Sequence, residues 1–589
     1  MTDPQRQADR PKWSTPTPRI IVLAAIFGLT WAGGALAFPL IDPTGDGGVP
    51  NGTELAAPDA RDLQHQLQIV NGLGGAGGSQ AWTFTPRFDF QQMLTDNVLQ
   101  QNSPRVWDTV SYFAPGFSLL GNTPRAIVNF TYTPTLSLYA RESSLNALTQ
   151  QFNGTATITA VPDLLFVDLR TVAGVVNTYG GLGGMGGVGA TQAATPQSTI
   201  PMLAGNAQGL NRNNESQFAS AGITPYILRQ FGDWGTLRVG DSVDVSRSDT
   251  LSGFAASPFP TGGINGQTLI TNEQNAHFVT GDILEFFQNA VDADIQNSQT
   301  TADAGSIKGV TGQPIAGSFQ SSMHRVVFSD TITYLANRYV SLFVSGGHED
   351  IVYTGFYSLP IHDLTWSLGT TITPNPDSQL TLSYGHQNGF NSASVNGHYA
   401  LTARTVLTAS YGSSLGTQLQ NLQNQLGLAS STANGALVNG QTGGRLFSSI
   451  NALPVQAGLF RTDMLDVGLQ TARDRDIFTF DFALSKQSTQ MAGPSATGQA
   501  DTFTTTWVHQ MRPDMTVNAF FSYSIQNQSG VVGPNWGDGT SIAASLAWQW
   551  QLSDTLGASL RYSYFERQSN AAVFTFYQNM IILGVSKTF

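Results

Sequence analysis

The sequence of 589 residues contains no cysteine, which removes a disulfide framework, a thiolate zinc site, an iron–sulfur cluster and a cysteine nucleophile from consideration. Charge is scarce too: Asp, Glu, Lys and Arg make up 11% of the chain, against about 25% in an ordinary soluble domain. The 27 Lys and Arg are outnumbered by 39 Asp and Glu, giving a formal net charge of −12. That balance argues against nucleic acid as a partner, because neutralising phosphates needs a basic surplus. Long apolar runs are missing apart from one near the start, so a multi-span helical membrane protein is excluded. Gly, Ser, Thr, Asn and Gln fill the deficit and hold the mean hydropathy at −0.08.

The first segment reads as an address. Arg6, Arg10, Lys12 and Arg19 precede an uncharged run from Ile20, which ends in Ala35-Leu36-Ala37. A basic start, an apolar stretch and an A-x-A end make a secretory signal peptide over 1–37, with cleavage expected after Ala37. An uncleaved helical anchor is the competing reading, and Gly28, Gly33 and Gly34 weigh against it. Residues 38–80 are expected to be a flexible segment with a short helix over 59–70, carrying Leu63, Leu67 and Val70 on one side. That segment is too short for the plug domain of a TonB-dependent receptor.

From Ala81 onward the pattern has period two. Leu556, Ala558, Leu560, Tyr562 and Tyr564 alternate with Gly557, Ser559, Arg561 and Ser563. Phe478, Phe480, Phe482 and Leu484 alternate with Thr479, Asp481, Ala483 and Ser485, and Val517 to Ile525 repeats the pattern. Such strands have one face in an apolar medium and one in a polar medium. Very short turns alternate with long Gly/Asn/Ser-rich connections, at about 176–214, 249–274, 301–320, 349–362, 413–455, 489–500 and 529–538. This asymmetry predicts an all-β fold, a transmembrane antiparallel outer-membrane barrel of about 22 strands (range 18–24) over 81–589. A soluble β-sandwich would need a second sheet over every apolar face and would leave the alternation of turn lengths unexplained. The expected location is the Gram-negative outer membrane, crossed many times. Trp548, Trp550, Tyr562, Tyr564, Tyr523, Phe521 and Trp366 are placed to supply interfacial aromatics.

Counting back by two from Phe589 puts Val585, Leu583 and Ile581 on the lipid-facing parity. A terminal aromatic on such a strand resembles the signal read by the outer-membrane assembly machinery, with Lys587 as a departure from the usual apolar residue.

A family resemblance rests on short motifs between about 80 and 300. Phe88-Asp89-Phe90, Thr95-Asp96-Asn97-Val98, Asp108, Pro115-Gly116-Phe117, Arg125-Ala126, Tyr132, Tyr139 and Leu165-Phe166-Val167-Asp168 follow one another. This order resembles the outer-membrane β-barrel porins that include proteins associated with exosortase (PEP-CTERM) and extracellular-polysaccharide systems. The resemblance implies an outer-membrane barrel with a role in export or surface-polymer biology, and it carries over no catalytic residue.

Motifs of catalysis do not occur. The eight His are scattered without metal-ligand spacing, and there is neither a G-x-S-x-G elbow nor a phosphate loop, so no enzyme, cofactor or metal is expected. His348-Glu349-Asp350 reads as solvated residues at a strand end. Parity places Asp168, Arg170, Arg238, Asp481 and Arg561 in the lumen, where they would set solute preference or form structural ion pairs. The loops 176–214 and 413–455 are candidates to narrow the bore, and Thr417–Leu428 is expected to be helical. These features predict a porin-like passive channel for small solutes or polysaccharide, partnered by membrane lipid and the assembly machinery. The alternative is a non-conducting structural or adhesive barrel that displays its loops.

Overall fold

The computed structural model describes residues 81–177, 215–250, 266–281, 286–302, 319–355, 358–427, 429–431, 437–439, 459–490, 497–529, 538–570, 572 and 575–589. The expected signal segment with Ala35 and Ala37, the helix at 59–70 and most of 176–214 lie outside the described residues.

Twenty-six strand segments form from the alternating stretches. Two of them, 429–431 and 437–439, pair only with each other. Ala126–Tyr132 and Thr135–Tyr139 both pair with the second strand, one above the other, and so form one interrupted wall strand. Ala147–Thr149 and Phe152–Val161 continue each other in the same way. Twenty-two wall strands remain. They are β1 (Trp82–Thr95), β2 (Asp108–Thr123), β3 (126–139), β4 (147–161), β5 (Leu165–Asn177), β6 (Glu215–Gln230), β7 (Gly235–Thr250) and β8 (Gln267–Thr280). Then come β9 (Phe287–Ala302), β10 (Phe319–Asn337), β11 (Val340–Gly355), β12 (Leu359–Asn375), β13 (Ser378–Gln387), β14 (Phe390–Thr402) and β15 (Thr405–Gly416). The helix α1 (Gln418–Gly427) follows, and the wall resumes with β16 (Phe460–Arg473), β17 (Asp476–Thr489), β18 (Thr497–Arg512) and β19 (Met515–Ser529). It ends with β20 (Gly539–Ser553), β21 (Leu556–Ser569) and β22 (Phe576–Thr588). Every neighbouring pair is antiparallel, and β22 returns to β1 in register from Arg87↔Thr588 to Thr95↔Met580. The sheet therefore has no free edge.

The two faces differ as period two requires. On β10, Ser321, Met323, Arg325, Val327, Ser329, Thr331 and Thr333 are buried, while Phe328, Ile332 and Tyr334 are exposed. On β22, Ile581, Leu583 and Val585 stand outside, and Phe589, just past the strand, is exposed as well. Leu364 is 75% and Leu368 62% exposed, values that water would penalise and hydrocarbon would not. Inside, hydroxyls bond across strands in ladders, as in Ser345–Ser367 and Ser383–Ser394 (both 2.5 Å) and Thr504–Ser522 (3.1 Å). An oily outside and a wet inside on a closed cylinder match lipid and no other solvent, so the chain is a multi-pass outer-membrane β-barrel.

The tight turns cluster at one barrel end. Two connections at the other end depart from the expected long loops, and in the shorter one Asn388 (φ +57) and Gly389 (φ +77) join β13 to β14 directly. Two successive left-handed residues make a type I′ hairpin, which Asn-Gly favours. The expected loop 349–362 shrinks to 356–358 because β11 and β12 run on to Gly355 and from Leu359. His348-Glu349-Asp350 is accordingly no strand end. It lies within β11, with Glu349 fully buried on the inner face, which corrects its reading as solvated polar residues.

Candidate functional site

The short β13–β14 hairpin shapes the lumen. Pairing between β14 and β15 stops at Val395↔Tyr411, and pairing between β12 and β13 stops at Trp366↔His386. Above these points β12 has lost its neighbour on the β13 side and β15 its neighbour on the β14 side, while β12 stays paired to β11 and β15 to β16. Leu415, on the outer parity of β15, packs with Leu459 against Met323, Ile351, Tyr353 and Ile361, which belong to the inner faces of β10, β11 and β12. The tops of β15 and β16 have therefore folded inside the cylinder. The hairpin tip bends the same way: the Gly389 N–H donates to buried Glu349 Oε1 at 3.1 Å.

The segment after β15 continues into the lumen as α1. Thr417 and Gln420 start the helix with a reciprocal cap. The Gln420 N–H donates to Thr417 Oγ1 (3.2 Å) and the Thr417 N–H to Gln420 Oε1 (2.7 Å). Leu419, Leu422 and Leu426, spaced along one helical face, are buried. The helix packs on β5, β7 and β15. Its polar side chains bond to inner-wall residues: Gln420 Nε2 to Ser298 Oγ (2.9 Å), Asn421 Nδ2 to Thr462 Oγ1 (3.2 Å), and Gln423 Oε1 from Thr271 Oγ1 (2.8 Å). Strand 429–431 then reaches β4, eleven strands round the cylinder from β15. The described part of this connection thus lies inside the cylinder, along the inner wall from β9 to β4.

Beneath it, the inner face of β5 to β10 carries a charged lattice. Asp244 sits over Gly222, in space that a Cβ there would take, with Ser242 Oγ donating to it and Arg170 Nη2 at 3.9 Å. Arg170 also donates to Thr224 Oγ1 at 3.0 Å. Next along the sheet, Glu273 Oε2 accepts Gln296 Nε2 at 3.0 Å, and Arg325 Nη1 lies 3.5 Å from Asp294 Oδ1. His277 Nδ1 meets Asp292 Oδ1 at 2.5 Å, and the Arg238 guanidinium stacks 4.1 Å above the Tyr226 ring. Carboxylates outnumber guanidinium groups on this wall.

Of the residues singled out by parity, the structure brings Asp168, Arg170 and Arg238 together on β5–β7, where Asp168 and Arg170 are buried. Asp481 on β17 and buried Arg561 on β21 stand on other parts of the wall. Sequence reasoning missed Asp244, Glu273, Asp292, Asp294 and Arg325. It also missed Asn388-Gly389, although Asn-Gly between alternating runs is a strong hairpin signal.

No family model matches the chain, and no curated protein matches it. Solved structures with a similar course include the siderophore receptor PirA from Acinetobacter baumannii, at 12% identity over 86% of this chain and 80% of that one, with a TM-score of 0.43. The FrpB iron transporter from Neisseria meningitidis (F5-1 variant) is 11% identical over 90% and 84%, with a TM-score of 0.45. The ferric-catecholate import receptor Fiu from E. coli K12, in its open form, is 10% identical over 85% and 81%, also with a TM-score of 0.45.

Proposed function

We propose that the chain is a passive outer-membrane channel for small hydrophilic solutes, with a preference for cations, whose bore is set by the infolded β15–α1–β16 segment. The observation that carries this reading is the size of the insert relative to the cylinder. Twenty-two strands about 4.8 Å apart and tilted by about 40° enclose a space roughly 40 Å across. A ten-residue helix is about 15 Å long and one helix wide, so α1 and the infolded tops of β15 and β16 together narrow such a space, α1 alone being much shorter than its width. The carboxylate surplus beside α1 supports the cation preference. Purified protein in a planar bilayer should conduct, with a reversal potential of cationic sign in a salt gradient. Absence of conductance would favour the displaying, non-conducting barrel.

Passage of a polysaccharide chain is a second reading, favoured by the hydroxyl rows of β10–β14, where Ser329, Ser345, Ser367, Ser383 and Ser394 line one shallow inner surface. Added oligosaccharide should then block the conductance in a concentration-dependent way. We also infer that β22, with Ile581, Leu583 and Val585 outward and Phe589 just past its end, is the strand the assembly machinery reads. Removing Phe589 should lower the amount of assembled barrel and leave conductance per channel unchanged.

A further inference from the structure

The outer face is not uniformly apolar. On β7, Asp241 lies on the outward parity between Val239 and Val243, six residues above Gly235 in a strand of 16. Beside it on β8 stand Asn272 and Gln274, also outward, with Gln274 directly paired to Asp241 in the ladder. Asn272 Nδ2 donates to Asp241 Oδ1 at 2.7 Å, and Gln274 Nε2 to Asn272 Oδ1 at 3.3 Å. Two strands on, Asp330 accepts Asn289 Nδ2 at 2.5 Å on the same outer surface. Among the described outward-facing residues, Asp241 and Asp330 are the carboxylates nearest mid-strand. The outward stripes of β19, β20 and β22 hold Phe521, Leu546, Ile581 and Leu583 at comparable depth.

Mid-strand on the outer face is the depth of the hydrocarbon centre, where a carboxylate and two amides facing acyl chains are strongly disfavoured. A surface that meets protein instead of lipid removes the penalty. The row immediately beside the cluster is small, Val239–Ala276–Ala293, which lets a second backbone approach closely.

We propose that the outer face of β7 and β8 is the contact through which two copies of this chain associate, about a two-fold axis parallel to the membrane normal. Two features select a second copy as the occupant. An identical barrel carries its own polar cluster at the same membrane depth, so the groups meet without any adjustment in height. The cluster is also self-complementary. With the axis between β7 and β8, the Asp241 carboxylate of each copy faces the Gln274 amide of the other, because these two residues share one ladder position on adjacent strands.

The absence of cysteine makes the test clean. Ala276→Cys should form a disulfide-linked dimer in outer-membrane vesicles under mild oxidation, and Leu583→Cys on the apolar side should not. In mild detergent the unaltered protein should be dimeric by native mass spectrometry. Asp241→Leu with Gln274→Leu should raise its dissociation constant at least tenfold while the barrel keeps its folded, heat-modifiable mobility on a gel. The proposal falls if the unaltered protein is monomeric in vesicles, if the Ala276→Cys thiol links only to a different protein, or if the double variant dimerises as before.

Discussion

Asp96, at the loop end of β1, and Asn579, in β22, are 483 positions apart and joined twice: Oδ1 accepts the Asn579 backbone N–H and Oδ2 its side-chain amide, each at 2.8 Å. Their neighbours repeat the link. Asn97 Nδ2 donates to the Tyr577 carbonyl (2.9 Å), and Gln578 Nε2 donates to Thr95 Oγ1 (2.9 Å). Met93, Val98, Val110, Tyr112, Met580 and Ile582 form an apolar cluster beneath. The stretch Thr95-Asp96-Asn97-Val98, which in the sequence carried a family resemblance, is a clasp over the seam that closes the barrel.

Asp96→Ala removes both acceptors at this seam while the ladder from Arg87 to Thr95 persists. The barrel should still close, and its unfolding free energy in urea with lipid vesicles should fall by about 1–2 kcal/mol. Asp554→Ala, in a turn at the opposite end, should leave the same measurement unchanged.

Replacing 418–427 by a short Gly-Ser link takes α1 out of the lumen and leaves β15 and β16 in place. Single-channel conductance should rise severalfold, with wall stability little altered. Leu422→Asp, which puts a charge on the buried helical face, should act in the same direction and add open-channel noise as the helix detaches. Unchanged conductance in both variants would mean that α1 does not limit the bore.

The charged lattice predicts a selectivity change. Glu273→Gln with Asp294→Asn removes two carboxylates from one wall and leaves Arg170, Arg238 and Arg325. The cation-to-anion permeability ratio, read from the reversal potential in a salt gradient, should fall by a factor of two or more. Asp249→Asn, on the outer parity of β7 near its loop end, should have no effect.

The wall strands were legible because most have one apolar parity. Phe478 to Leu484 and Leu556 to Tyr564 each sort at a glance, and short turns alternating with long connections gave the number and phase of the hairpins. The charged wall was illegible for the complementary reason. Over β7 and β8 both parities are polar: Asp241, Asn272 and Gln274 point out while Asp244, Glu273 and Asn275 point in, so alternation cannot say which set meets water. The infolding of β15 and β16 was hidden as well. It follows from β13 and β14 being too short to support their neighbours, a relation between strands that no single stretch contains. The helix was readable from its Gln/Leu composition, but its place against the inner wall depends on Thr271, Ser298 and Thr462, which come from three other strands.

Glu349 holds the last of these relations in a testable form. It is buried on the inner face of β11, and its Oε1 is the acceptor for the Gly389 N–H at the hairpin tip. Glu349→Ala strands that donor and opens space behind the tip, which should loosen the β13–β14 turn at a local cost of about 1–3 kcal/mol. Glu349→Gln keeps a carbonyl oxygen in place and should preserve the fold of the tip. Limited proteolysis of folded protein in vesicles distinguishes the two, with cleavage near Asn388 accelerated in the Ala variant and near the unaltered rate in the Gln variant. Because the tip packs beside Ile361, which shares a cluster with Leu415 and Leu459, its release should also let the tops of β15 and β16 move outward. Conductance of the Ala variant should then rise toward that of the α1 deletion. Equal proteolysis in all three proteins would show that the tip is held by its left-handed Asn-Gly turn alone.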